Sequence, residues 1–354
     1  MKKIKEILNH IFIDGLSGMA TGLFATLIVG TILSQIGGLL PGTVGTCVTM
    51  MGKIASSVTG AGIGCGVALK FKEPPLVTLS AAVCGMMGAF ASKILAGSVL
   101  VDGVICYSGP GEPLGAFLAA IAAIYAGHLI AGKTKVDILI TPLVCIMAGS
   151  TVGLVLGPPI SGFMLLLGDM INAGTQQQPL LMGIIVSVLM GMILTLPISS
   201  AALGVILNLS GLAAGAATVG CCANMVGFAV ASYRENGVNG LLAQGLGTSM
   251  LQIGNIVRKP IIWLPAILTS AVLGPIATVV FGMTNNATGS GMGTAGLVGQ
   301  ICTYQTMAGE RGAVTTLLLI ALLHFILPAV LTLFLSEFMR KKGWIKNGDM
   351  KLNV

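Results

Sequence analysis

The chain has 354 residues, of which 55% are hydrophobic and only 8% are charged, and its formal net charge is +7. A soluble globular protein carries about 25% charged residues, so this chain has too few to cover a water-facing surface. The composition excludes an ordinary soluble protein. Because the apolar runs are long, rather than the short alternating segments of a β-barrel, we expect an all-α polytopic membrane protein. The positive charge lies in short segments between apolar runs, where it sets topology, so nucleic acid is not an expected partner.

The predicted elements begin with segment 1–15, which is amphipathic and is expected to lie on the membrane surface. Apolar runs of roughly 20 residues then predict about ten transmembrane helices. They lie at about 16–40, 43–69, 74–96, 113–131, 136–156, 158–173, 179–197, 199–232, 261–282 and 313–339. The run 199–232 is too long for one simple span, and the segments 238–257 and 294–307 are expected to be re-entrant or interfacial. A basic tail follows at 340–354.

The basic residues predict the orientation of the chain. If the N-terminus is inside and the spans alternate, every Lys and Arg except Lys53, Lys93 and Arg311 falls on the inner side. This distribution is the positive-inside pattern, so both termini are predicted to be cytoplasmic. The whole chain, 1–354, is expected to form a single integral membrane domain.

Two parts of the sequence show a weak internal similarity. KEPPLVTLSAAVCGMMGA at 72–89 leads to GPGEPLG at 109–115, and RKPIIWLPAILTSAVLGPIA at 258–277 leads to TNNATGSGMGTAG at 284–296. In both, a basic, proline-containing entry precedes a span, and a glycine-rich break follows. Paired breaks in corresponding halves indicate a two-fold internal repeat with a transport site. The alternative is that small residues are simply abundant in this chain.

Two of these breaks supply candidate solute-binding residues. Glu112, in GPGEP, is either a solvated carboxylate in an external turn or a hydrogen-bond acceptor for a polar ligand in dry surroundings. The segment 284–294 is either a polar external loop or a set of amides and hydroxyls that suits a neutral polyol such as a sugar. Its candidate groups are Thr284, Asn285, Asn286 and Thr288.

Further substrate-binding candidates lie within the apolar runs. Ser199 and Ser200 follow a proline in LPISSAALG, where a broken helix would leave backbone groups available to a ligand. Asn224 belongs to the same glycine-rich run. His324, in LLHFILP, is expected either to bond a backbone carbonyl freed by the proline or to line the pathway.

The chain lacks the common signatures of catalysis and of active transport. It contains no Walker A, HExxH or GxSxG sequence, so neither an ATP-driven pump nor a hydrolase is indicated. Its cysteines lack zinc-site spacing. We therefore expect no catalytic residues, no metal and no cofactor. No ladder of acidic residues occurs within the spans, so coupling energy is expected from elsewhere.

Five stretches carry a family resemblance, and they are distributed over essentially the whole chain. They are IFIDGLSGMATGLFATLIVGTIL (11–33), LPISSAALG (196–204), GCCANMVGFAVASYREN (220–236), MTNNATGSGMGT (283–294) and EFMRKKGWIKNGDMKL (337–352). Together they resemble the Enzyme IIC-like membrane proteins of the bacterial phosphotransferase system, a family grouped with toxin regulators of the perfringolysin-regulator type.

The resemblance implies a sugar permease subunit of the bacterial plasma membrane, generally a homodimer, that binds a sugar and presents it to a phosphorylated IIB protein. In the glucose-type branch of these permeases, a sugar-binding glutamate lies in a Gly-x-x-Glu-Pro sequence, which Gly109, Glu112 and Pro113 match. No IIA or IIB domain is recognisable, so separate IIA and IIB proteins are expected to supply phosphate. The alternative is a membrane-bound regulator or sensor with a transporter fold and no phosphotransfer. A channel is less well supported, because no selectivity-filter sequence occurs.

Overall fold

A computed structural model describes residues 10–107 and 109–352. The chain divides into two compact units, unit 1 up to Met164 and unit 2 from Leu165. The division falls within one long helix, and each unit is described by itself below. Residues 1–9 of the predicted amphipathic segment 1–15 lie outside the described residues. The rest of the segment, His10–Gly15, forms a π-helical turn at the start of the first helix.

Unit 1 consists of helices and one small hairpin. The helices are α1 (His10–Gly38), α2 (Gly42–Ser57), α3 (Thr59–Lys70), α4 (Pro75–Ala89), α5 (Ala91–Leu95), α6 (Pro113–Ile130) and the first part of α7 (Asp137–Thr175). Strands β1 (Leu100–Val101) and β2 (Val104–Ile105) pair antiparallel between α5 and α6. Asp102 and Gly103 connect the strands with positive φ at both residues, the conformation that a tight Asp-Gly hairpin turn requires.

Helix α7 replaces two predicted spans, 136–156 and 158–173, with one continuous helix of 39 residues. Pro158 and Pro159 lie inside it. A proline removes a backbone donor, but a helix surrounded by hydrocarbon or protein tolerates it when neighbouring groups bond the freed carbonyls. The hydroxyl of Ser92 donates to the carbonyl of Gly157 at 3.2 Å, next to this pair.

Unit 2 is organised around a buried helix, α10. Its helices are α8 (Pro179–Thr195), α9 (Ser200–Ile206), α10 (Gly211–Ala231), α11 (Tyr233–Leu242), α12 (Ile253–Arg258), α13 (Pro260–Val280), α14 (Ala287–Ser290), α15 (Val298–Arg311) and α16 (Ala313–Lys341). Helix α10 packs against α8, α13 and α16. The long predicted run 199–232 is therefore two helices, α9 and α10. The segments predicted to be re-entrant or interfacial form short helices and turns, including the π-helical Ala243–Gly247 and the 3-10 turns Ser249–Gln252 and Ala295–Leu297.

The helices have the length and surface of membrane spans. Among the described residues, six helices are long and apolar enough to cross a membrane, and two shorter apolar helices accompany them. The six are α1, α6, α7, α10, α13 and α16, and the shorter two are α4 and α8. Large apolar side chains lie on the outside, such as Ile138 at 77% exposure and Phe334 at 69%, as expected where lipid is the solvent. The prediction of an all-α polytopic membrane protein is confirmed.

Glycine lets these helices approach to backbone contact. In unit 1, a Cβ atom on Gly22 would lie 2.0 Å from the carbonyl oxygen of Gly62. In unit 2, a Cβ atom on Gly220 of α10 would lie 1.9 Å from the carbonyl oxygen of Ser187 of α8. In a membrane, where lipid is as apolar as a side chain, close packing of this kind is a main source of helix association.

The contact at Gly220 predicts a stability effect. Gly220→Ala should destabilise unit 2 by about 1–3 kcal/mol, because the added methyl group must push α8 away from α10. The measurement is the apparent melting temperature of the purified protein in detergent. Gly309→Ala is the matched control, since a Cβ atom there meets no atom within 4 Å. Equal melting temperatures for the two variants would contradict the packing.

Candidate functional site

Two of the predicted polar breaks pack against each other in unit 2. The hydroxyl of Ser200, at the start of α9, donates to the carbonyl of Gly291 at 2.7 Å. A Cβ atom on Gly291 would lie 2.2 Å from the carbonyl oxygen of Ser200, and one on Gly204 would lie 2.3 Å from Oγ of Ser290. Ser199 and Ser200 are both buried. The structure therefore brings the serine pair into contact with the Asn/Thr-rich segment.

Asn285 fixes the Asn/Thr-rich segment to its neighbours. Its side chain is 1% exposed, and its Nδ2 donates to Oγ1 of Thr218 at 2.7 Å and to the carbonyl of Gly299 at 3.1 Å. Its backbone N–H donates to the carbonyl of Gly211 at 3.2 Å. Asn285 thus links the start of α10, the middle of α10 and the start of α15.

The other three candidates of this segment have different surroundings. Oδ1 of Asn286 accepts from the backbone N–H of Gly289 at 2.9 Å, which makes Asn286 the N-cap of α14. The backbone N–H of Thr284 points to Sδ of Met307 at 3.4 Å, and Thr284 is half-buried. Thr288 is exposed.

Asn224 lies in the packing between α8, α10 and α13. Its Nδ2 donates to the carbonyl of Gly220 and to Oγ of Ser270, each at 3.2 Å. Its Oδ1 accepts from Nε1 of Trp263 at 2.9 Å and from Oγ1 of Thr195 at 3.3 Å. A side-chain amide makes about four hydrogen bonds, so protein partners use the full capacity of Asn224.

His324 lies in a π-helical turn, Ala321–Ile326, and is fully buried. The amide of Gln300 donates to Nδ1 of His324 at 3.1 Å, and the same amide nitrogen lies 3.4 Å from Sγ of Cys222. In this arrangement Nε2 of His324 carries the proton and is a donor. Within the described part of the chain, neither Nε2 of His324 nor Oε1 of Gln300 has a hydrogen-bond partner. Buried polar atoms without partners are rare and call for an explanation, and single π-turns occur frequently at functional sites.

The sequence prediction did not include Gln300, Thr218 or Cys222. Thr218 and Cys222 lie one turn apart on α10 and face Asn285 and Gln300, respectively. The available signal was weak. Gln300 is an amide within AGLVGQIC, an apolar stretch that is too short to be a span, and Thr218 resembles any small residue of a glycine-rich helix.

Glu112 lies in unit 1, whereas the other eight candidates lie in unit 2. It is the N-cap residue of α6 and is half-buried, and its backbone N–H donates to the carbonyl of Ala89 at 2.7 Å. Gly109 and Gly111 both have positive φ, at 80° and 75°. The turn itself therefore requires the glycines of GPGEP, because other residues strain in this conformation.

The fold and the contacts above define an integral membrane protein whose helices are interrupted by polar breaks, two of which pack together within one unit. The chain matches the family model described as "Phosphotransferase system, EIIC" over residues 13–352, and it belongs to that family, the membrane components of sugar phosphotransferase systems. The resemblance seen in the sequence is thereby confirmed. No curated protein matches the chain in a sequence search.

Proposed function

We propose that the chain is the sugar-translocating subunit of a phosphoenolpyruvate-dependent phosphotransferase system. It binds a small polar solute and moves it by alternating access, and separate IIA and IIB proteins supply the phosphoryl group. The observation that carries the proposal is family membership over residues 13–352 in a chain whose serine and Asn/Thr breaks pack together. Broken segments that meet at the depth of the membrane are where transporters of several folds bind their solutes.

His324 and Gln300 provide the chemistry that a sugar hydroxyl needs. A hydroxyl donates one hydrogen bond and accepts others, and the pair offers one donor, Nε2, and one acceptor, Oε1. Both side chains are at least nine-tenths buried, so a bond made there is little weakened by competing water. We assign them to solute binding.

The remaining candidates divide by how fully protein partners use the hydrogen-bonding capacity of each side chain. Ser199, Ser200, Thr284, Asn286 and Thr288 line the two breaks and are proposed to contact solute. In this proposal Asn224 and Asn285 act by holding α10 against its neighbours, because their amides are engaged with protein groups. Glu112, in unit 1, is proposed separately as a carboxylate acceptor for solute in the GPGEP turn.

The proposed topology follows from the basic residues at the helix ends. Lys70 ends α3, Arg258 ends α12, and Arg340 and Lys341 end α16. By the positive-inside rule these ends face the cytoplasm, and so do both termini, in the plasma membrane of a bacterium. A homodimer is part of the proposal.

Uptake by living cells tests the proposal with the partner proteins present. Wild-type and deletion cells are given a panel of radiolabelled sugars, and saturable uptake of at least one of them should be lost on deletion. Identical uptake of every sugar by the two strains would contradict a permease. Identical uptake together with altered transcription in the deletion strain would instead support the membrane regulator.

Replacement of the GPGEP carboxylate is the second test. Glu112→Gln should weaken binding of the transported sugar by about 1.5–3 kcal/mol, roughly tenfold to a hundredfold, because a charged acceptor becomes a neutral one. The measurement is equilibrium binding to purified protein. Glu310→Gln removes an exposed carboxylate of α15 and should leave binding unchanged. Unchanged affinity in Glu112→Gln would contradict a solute-binding role for Glu112.

The buried pair of His324 and Gln300 predicts that substitutions of the two residues have non-additive effects on sugar binding. His324→Ala and Gln300→Ala should each weaken sugar binding, and the double variant should lose less than the sum of the two, because the side chains act as one unit. Gln305→Ala, an exposed amide on the same helix as Gln300, is the control. Fully additive losses, or full affinity in either single variant, would contradict the assignment.

A further inference from the structure

The residues that follow α16 fold back and pack against the protein. Ile345 is 2% exposed and Met350 is fully buried. Both belong to an apolar cluster with Phe228 of α10 and Trp263 of α13. The segment 344–352 therefore packs at a defined position on unit 2.

Four side chains form hydrogen bonds that hold the backbone of residues 350–352 in this position. Glu235 accepts the N–H of Met350 at 2.8 Å. Asn236 donates to the Met350 carbonyl at 2.9 Å and accepts the N–H of Leu352 at 2.8 Å. Gln252 donates to the Met350 carbonyl at 2.9 Å, and Asn255 donates to the Lys351 carbonyl at 3.0 Å. Five hydrogen bonds thus recognise main-chain atoms, which every peptide has.

These four side chains form a prearranged surface. The Glu235 carboxylate is only 2% exposed and is bonded by Arg340 at 2.8 Å. Gln252 donates to Oε1 of Gln244 at 2.9 Å and accepts from Asn255 at 2.8 Å. Side chains that neighbours already hold lose little conformational entropy when a peptide binds.

Two side chains of the segment add selectivity. Met350 enters the apolar cluster, and Asp349 forms an ion pair with Lys259. Partial burial works against ionisation of Asp349, but hydrogen bonds from Lys259 and the backbone of Lys346, with the charges of Lys259 and Arg340, lower the pKa of its carboxyl. Asp349 therefore docks as a carboxylate.

We propose that Glu235, Asn236, Gln252, Asn255 and Lys259 form a peptide-binding groove, which the chain's own C-terminal segment occupies in cis. Its ligand class is a peptide that turns over residues 347–350 and presents a carboxylate followed by a methionine-like apolar side chain. Because most contacts are to main-chain atoms, a separate peptide of this pattern fits the same groove. A tethered segment competes at an effective concentration of about millimolar, so the cis segment normally keeps the groove filled.

The groove has a contact path to the broken segments. Gln244, which bonds Gln252, belongs to the turn Ala243–Gly247, and this turn packs against Ala295–Leu297 at the start of α15. Leu297 has a left-handed backbone at φ 59°, a conformation that neighbouring contacts must maintain. Release of the segment is expected to alter solute binding, and this consequence alone rests on the proposed function.

Peptide binding to the full-length protein tests the groove. The probe is a fluorescent peptide of the sequence KNGDMKLNV, residues 346–354. Met350→Glu in the protein places a charge in the apolar cluster and so releases the cis segment. This variant should bind the peptide at least about tenfold more tightly than the wild type does, since the tethered competitor is gone. The same peptide with glutamate in place of its methionine should not bind.

Groove variants complete this test. In the Met350→Glu background, Asn236→Ala should weaken peptide binding about tenfold or more, because two hydrogen bonds are lost. Asn239→Ala, which removes an exposed amide three residues further along the chain, should have no effect. Equal peptide binding to wild type and Met350→Glu, or none to Met350→Glu although trypsin now cleaves after Lys346, would overturn the proposal.

Hydrogen exchange tests the proposed groove if the Met350→Glu variant does not fold. In the otherwise native chain, Asn236→Ala should speed exchange of the amides of residues 350–352 about tenfold or more, and Asn239→Ala should not. Equal exchange in the two variants would contradict the groove. These readouts need no solute, so a failure of the sugar-transport proposal leaves them intact.

Discussion

Hydrocarbon offers no hydrogen bond to a peptide group, and this constraint governs where the chain can interrupt its helices. Two interruptions in unit 2, at the serine pair and at the Asn/Thr-rich segment, supply partners for each other or for the buried helix beside them. Ser200 bonds the carbonyl of Gly291, Asn285 bonds the carbonyl of Gly211, and Asn286 caps α14. The polar groups that make the breaks look like a binding site therefore also make the breaks possible.

The same constraint explains why glycine is so frequent. Bonds such as that between Ser200 and Gly291 require two backbones in contact, and a Cβ atom at Gly291 would lie 2.2 Å from a carbonyl oxygen. Once the structural bonds are assigned, the buried groups that remain available are informative. Nε2 of His324 and Oε1 of Gln300 form a donor–acceptor pair, which gives the proposed sugar chemistry a specific location.

Charged residues are few in this chain, and several of them lie together in one group. The ion pair between Glu235 and Arg340 holds α16 against α11, and the pair between Lys259 and Asp349 holds residues after α16 against the α12–α13 connection. Their neighbours Asn236, Gln252 and Asn255 bond backbone atoms of that segment. The arrangement differs from the breaks, where neutral groups predominate. Unit 2 thus carries two polar centres, one of neutral groups that is proposed to bind a solute and one of charges and amides that is proposed to bind a peptide.

The sequence by itself determined the class of protein, the family and several helix bounds, such as 113–131 for Pro113–Ile130 and 179–197 for Pro179–Thr195. The class and the helix bounds follow from apolar length and local breakers, which act over a few residues, whereas the family rests on the resemblance of whole stretches of sequence. It did not determine the continuity of α7, or which polar residues are structural and which remain available. Asn224 and His324 look equally suitable in the sequence, yet Asn224 is fully bonded, and His324 meets Gln300, 24 residues away. Hydrogen-bond partners distant along the chain are brought together only by helix packing, so the tertiary structure decided which polar atoms were left for a ligand.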